Sequence, residues 1–103
     1  MIELALALAL ARVQVAADDF SLALSRQKVK AGPALIELVN FGEDAHDLRL
    51  RREVPGARTF RIRAVRPGAR AELDLTLRPG RYHLWCSLAD HRELGMEATL
   101  VVH

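Results

Sequence analysis

The sequence predicts an all-β protein, an antiparallel sandwich or barrel, and three observations predict it. Apolar residues alternate with polar ones at a period of two in one short run after another. Gly/Pro pairs punctuate the runs at Gly32-Pro33, Pro55-Gly56, Pro67-Gly68 and Pro79-Gly80. Outside the opening segment, no window longer than about eight residues carries a 3.6-residue apolar period. Short strands at roughly 10-residue spacing, separated by turn signals, are what a sandwich or barrel needs.

The elements follow in order. In "LALALALA", Leu4, Leu6, Leu8 and Leu10 alternate with alanine. Two readings of residues 1–11 stand side by side, an ordinary first strand or the remnant of an export signal ending at the Ala-Leu-Ala of residues 9–11. Glu3 stands where a signal would carry a positive residue, and the run is too short to span a bilayer. Val13 and Val15 continue the alternation, and after the break at "AADD" it resumes with Phe20, Leu22 and Leu24. "ALIELV" (34–39) is a near-continuous apolar run of strand length, and "RREVPGAR" (51–58) reads as a turn of helix. Phe60, Ile62 and Ala64 alternate with Arg61 and Arg63, and Leu73, Leu75 and Leu77 with Glu72, Asp74 and Thr76. Tyr82, Leu84 and Cys86 alternate with His83 and Trp85, and "ATLVV" (98–102) closes the chain. Two Pro-Gly pairs bracket the leucine strand, which suggests a meander of 58–65, 71–77 and 81–86.

With 103 residues, half of them hydrophobic and 27% charged, the chain fits one globular domain, 1–103, with one core. Aromatics are only 5%, so Leu, Val, Ile and Ala must build that core. The single cysteine excludes an internal disulfide framework. It does not fix the compartment, because a metal-held thiolate survives oxidising conditions. Residues 49–70 hold eight arginines against Glu53 alone, +7 in a chain of net +2, so the remainder carries −5. Such a stripe is the solvated face of strands or, more sharply, a docking surface for an acidic partner. One aromatic, Phe60, and no recognition element speak against nucleic acid.

The chemistry concentrates in "YHLWCSLADHRELGM" (82–96), where Cys86, His91 and Met96 stand five residues apart. Alone, Cys86 reads as a small buried hydrophobe. Thiolate, imidazole and thioether together make a soft donor set that suits copper. Zinc fits worse because it rarely accepts Met, and one cysteine excludes a four-thiolate iron–sulfur site. The missing donor would be another imidazole, and His46 follows a buried strand and the turn-like "GED". Two His, one Cys and a long axial Met form the blue-copper arrangement. Cys86 would end a strand, Met96 would sit at the mouth of the next, and His46 would come from a second loop at the same end. His83 alternates out of phase and His103 is terminal, so neither is read as a ligand. Trp85 packs beside the site or serves as an electron path or docking contact. Tyr82 fills the core with its hydroxyl satisfied at an edge.

Three segments, "VKAGPALIELVNFGEDAHDLRL", "LRPGRYHLWC" and "CSLADHRELGMEATLVV", resemble the cupredoxins, the family of plastocyanin and azurin. They cover about half the chain, and the Cys-x4-His-x4-Met spacing is closest to the rusticyanin-like pattern. The resemblance implies a Greek-key β-sandwich of about eight strands and one copper ion, Cu(I)/Cu(II), held by His46, Cys86, His91 and Met96. It implies an exposed His91 edge as electron port, rimmed by Leu88, Ala89 and Leu94. One position departs from the family, which usually has Asn or Ser after the first histidine, where this chain has Asp47. Its carboxylate is expected to accept from backbone N–H groups near Ser87 and to lower the reduction potential. The resulting reading is a monomeric type 1 copper electron carrier, not an enzyme. It would be exported to the periplasm or cell envelope and serve a redox donor and acceptor. Membrane insertion is not expected, and peripheral association is left open. Two rivals are a copper carrier or storage protein on the same fold, and a metal-free structural sandwich.

Overall fold

A computed structural model of the chain describes residues 10–103. Their strands are β1 (Ala11–Asp18), β2 (Ser21–Leu24), β3 (Lys28–Val29), β4 (Gly32–Asn40), β5 (His46–Arg52), β6 (Thr59–Val65), β7 (Arg70–Leu77), β8 (Gly80–Trp85) and β9 (Glu97–Val102). They form two sheets, ordered β2-β1-β4-β7 and β3-β9-β8-β5-β6. The expected all-β sandwich is there, with nine strands among the described residues where about eight were expected. No helix among these residues is long and apolar enough to cross a membrane. The reading of residues 1–11 falls mostly outside the described residues, and β1 begins at Ala11.

Period-two patterning builds the core between the sheets. Ala11, Val13, Val15 and Ala17 of β1 face Leu48 and Leu50 of β5, Tyr82 and Leu84 of β8, and Leu100 and Val102 of β9 across one apolar cluster. Each fully buried Leu, Ile or Val contributes roughly 1.5–3 kcal/mol of apolar burial. The Tyr82 hydroxyl accepts the Arg78 N–H at 3.0 Å, as expected of a core tyrosine with a satisfied edge.

Four sequence expectations need correction. The meander does not form. β6 lies in the five-stranded sheet, β7 pairs with β4 in the other, and β8 returns to pair with β5 and β9. The Pro-Gly pairs are crossovers between sheets, where Gly68 (φ +81°) and Gly80 (φ +140°) take backbone angles that side chains resist. The expected turn of helix at 51–58 is the end of β5 followed by a turn, with Gly56 at φ +74° and Glu53 N–H bonded to Arg81 O at 2.8 Å. Finally, a register shift between His46 and Leu48 in the β5–β6 pair breaks the alternation of β6. Ala64 therefore faces solvent and Val65 the core. The pairing is not purely antiparallel either, since β1 with β4 and β3 with β9 are parallel.

The topology gathers three chain positions at one end. β5 and β9 both run antiparallel to β8, so the start of β5, the end of β8 and the start of β9 meet there. His46 opens β5, Cys86 follows β8, and Met96 precedes β9.

Candidate metal centre

His46, Cys86 and His91 converge, with one donor atom from each lying within 4.8 Å of the others. Cys86 Sγ is 3.6 Å from His91 Nδ1 and 4.0 Å from His46 Nδ1. All three are buried, His46 and Cys86 at 0% exposure and His91 at 7%. A metal bonded to nitrogen at about 2.0 Å and sulfur at about 2.3 Å, in a trigonal plane, separates the two donors by about 3.7 Å. The donor set fits one metal ion of soft preference.

His46 is held from behind. Its Nε2 lies 2.7 Å from Asp19 Oδ1. A carboxylate only accepts, so Nε2 carries the proton and Nδ1 is left to face the thiol. Asp19 also accepts the N–H groups of Glu43 (2.8 Å) and Asp44 (3.3 Å), ordering the loop before His46. These bonds, the Glu43 N–H first and the imidazole among the others, hold the Asp19 carboxyl below the usual carboxylate range. The same loop is fastened by Asn40, wholly buried, which donates to Asp44 O (2.8 Å) and Val65 O (2.9 Å) and accepts from Gly42 N–H (2.8 Å). Gly42 leaves room for this hydrogen bond. A Cβ there would collide with the Asp19 carboxylate and stand 2.9 Å from His46 Nε2.

The cysteine loop is tied to β5 through Asp47. Its Oδ1 accepts the Ser87 N–H at 2.6 Å and its Oδ2 the Ser87 hydroxyl at 2.5 Å. This is the bond expected of the departure from the family pattern. Arg49 Nε lies 3.4 Å from the same carboxylate, which is 4% exposed. Burial pushes the Cys86 thiol up, partly offset by the N–H groups of Leu88 and Asp47. A thiolate at this position therefore calls for a cation beside it.

His91 and Met96 share a tightly bonded loop. His91 N–H donates to Leu88 O (3.0 Å), His91 O accepts from Met96 N–H (3.1 Å), and Met96 O accepts from Cys86 N–H (3.1 Å). Met96 is 0% exposed. The His91 ring is more covered than the expected exposed edge. Phe20 packs against it at 5.0 Å between centroids, and Asp44 Oδ2 faces its Nε2 at 3.7 Å. Phe20 reaches it from an unusual backbone angle, φ 126°. Of the expected rim, Leu94 is 52% exposed and Ala89 exposed, while Leu88 is half-buried. His83 and His103 lie outside the cluster, His83 bonded to Glu97 at 2.7 Å.

Asp19, Asn40 and Gly42 were missed by sequence reasoning. "AADD" looked like a break between strands, and nothing in it announces that Asp19 reaches 27 residues ahead. "NFGED" did carry a signal, an Asn two residues before a Gly at the end of an apolar strand.

No family model matches the chain, and no curated protein matches it. Solved structures do. The reduced auracyanin of the photosynthetic bacterium Roseiflexus castenholzii is similar at 14% identity and TM-score 0.74, over 90% of this chain and 97% of that one. Rusticyanin from Thiobacillus ferrooxidans is similar at 14% identity and TM-score 0.71, over 92% of this chain and 78% of that one. A multicopper oxidase is similar at 15% identity and TM-score 0.67, over 91% of this chain but only 42% of the oxidase. The chain has the cupredoxin fold.

Proposed function

We propose that this chain is a type 1 copper protein carrying single electrons between redox partner proteins. His46, Cys86 and His91 would hold one copper ion, with Met96 as the weak axial ligand. The observation that carries the reading is the meeting of two imidazole nitrogens and one thiol sulfur within 4.8 Å at a buried point. Thiolate and thioether favour copper(I) and imidazole suits both oxidation states. Bound copper supplies a one-electron Cu(I)/Cu(II) couple.

The chain's own residues supply the rest. Asp19 keeps the His46 proton on Nε2, Asp47 fixes the loop after Cys86, and Phe20 keeps water off the His91 ring. Ligands anchored at strand ends move little when the charge changes. The near-complete burial of the three donors supports a carrier over an enzyme, because it leaves no approach for a substrate. The reading takes residues 1–103 as one domain and a monomer, acting in the periplasm or cell envelope.

Copper(II) titration with visible and EPR spectra tests it, on wild type and Cys86→Ala. Wild type should gain an intense thiolate-to-copper band that the variant lacks, with a reversible couple on an electrode. A wild type that stays colourless but binds copper(I) would turn the reading to a carrier or storage protein. Binding no copper in either state would overturn it.

A further inference from the structure

β5, β6 and β8 send Leu48, Leu50, Ile62 and Leu84 into the core, so their alternate residues point out from the five-stranded sheet. The register sets Arg49 between Arg61 and Trp85, and Arg51 beside His83. His83 stacks on Trp85 with centroids 4.9 Å apart and planes at 19°, and the Arg92 guanidinium lies 5.3 Å from the Trp85 ring centre. Arg51, Arg52, Arg92, His83 and Trp85 line a groove of about 410 Å³ on this face, with Glu53 as its one acid, 3.7 Å from Arg81.

The face is under-neutralised. Arg49 leans on Asp47 at 3.4 Å and Arg92 on Glu97 at 3.7 Å, but among the described residues neither Arg51 nor Arg61 has an ion-pair partner. Like charges directly opposite on neighbouring strands weaken a sheet, and Arg49 opposite Arg61 is such a pair. A negative surface laid on this face would turn that repulsion into attraction. Arginine forks match carboxylates two bonds at a time. The Trp85 ring is already engaged by His83 and Arg92, so it offers no free platform for a nucleic-acid base. Among the exposed large hydrophobics only Val54 lies here, too little to anchor in a bilayer.

We propose that the outer face of the five-stranded sheet, centred on Arg49, Arg51, Arg61 and Trp85, is a docking surface for an acidic protein. It is narrower than the arginine stripe of the sequence, since Arg70 pairs with Glu37 of the other sheet. No residue of it is a proposed copper ligand, so it stands or falls separately from the copper reading.

Trp85 is the only tryptophan, so its fluorescence reports on this face alone. The full chain is titrated with a polyglutamate peptide, read by that fluorescence and by backbone amide shifts. The shifts should map to β5, β6 and β8, and added salt should abolish binding. Arg51→Glu with Arg61→Glu should weaken it about tenfold or more, with Arg51→Ala as the gentler form. Arg12→Glu with Arg70→Glu, on the four-stranded sheet, should change it far less. The proposal is overturned by no binding, by shifts elsewhere, or by equal loss in the control pair. Tighter binding of oligothymidylate or of phosphatidylserine vesicles at the same salt would overturn the partner class.

Discussion

Asp19 Oδ1 lies 2.7 Å from His46 Nε2, joining the turn after β1 to the first residue of β5 across 27 positions of sequence. The contact decides which nitrogen of His46 is free. With Nε2–H committed to a carboxylate, Nδ1 is the atom presented to Cys86 Sγ. It also places a negative charge one imidazole ring away from the proposed copper ion.

Replacing Asp19 by Ala should release the ring and the tautomer together. Copper(II) affinity is expected to fall about 10- to 100-fold, the usual loss when a histidine ligand's outer partner is removed. Asp19→Asn keeps an acceptor but removes the charge, so the reduction potential should rise while affinity falls less. Competition titration and voltammetry measure the two. Unchanged affinity in Asp19→Ala would make the carboxylate a bystander.

Gly42→Ala tests the same contact without altering any charge. The new methyl would occupy the space of the Asp19 carboxylate, which can swing aside because it ends a flexible side chain. The fold should survive while copper affinity drops in the manner of Asp19→Ala. Combined with Asp19→Ala, the glycine change should cost less than on its own, keeping only what a Cβ 2.9 Å from His46 Nε2 costs that ring. Full additivity in the double-mutant cycle would mean that Gly42 acts by another route.

Much of this was legible in the sequence, and the limits have physical causes. The meeting of Cys86 with His91 was legible because the two share one loop, and that of His46 because the set lacked a second imidazole. The strands of the core were legible because buried alternation marks them. What escaped depends on contacts between distant segments. Nothing local to Pro67-Gly68 says whether the chain turns back in its own sheet or crosses to the other. Nothing local to Asp19 says which histidine it meets. The phase of β6 escaped for a related reason, since its register shift against β5 is a property of the pair and not of either strand.

That phase can be checked with a matched pair of substitutions. Val65→Thr keeps shape but buries a hydroxyl where Val65 is 2% exposed, and should cost about 1–3 kcal/mol. Ala64→Thr, on the solvent side, should stay within about 0.5 kcal/mol. Denaturant unfolding of both variants decides between the shifted register and a plain alternation, which predicts the reverse order.

Asp47 joins the start of β5 to the loop after Cys86. Its carboxylate accepts from both the backbone N–H and the hydroxyl of Ser87, the residue after Cys86, so it acts at once as a tether and as a charge. Asp47→Asn separates the two roles. The amide oxygen can still accept from the Ser87 N–H, so the tether persists, while the negative charge that favours copper(II) is gone. The reduction potential should therefore rise with the blue band retained. Asp47→Ala removes both and leaves the Ser87 N–H to solvent, at a cost of about 1 kcal/mol for the lost hydrogen bond. Its band should weaken or shift as the cysteine loop loosens. Voltammetry and visible spectra of the two variants read the roles apart, and an unchanged or lower potential in Asp47→Asn would refute the electrostatic role.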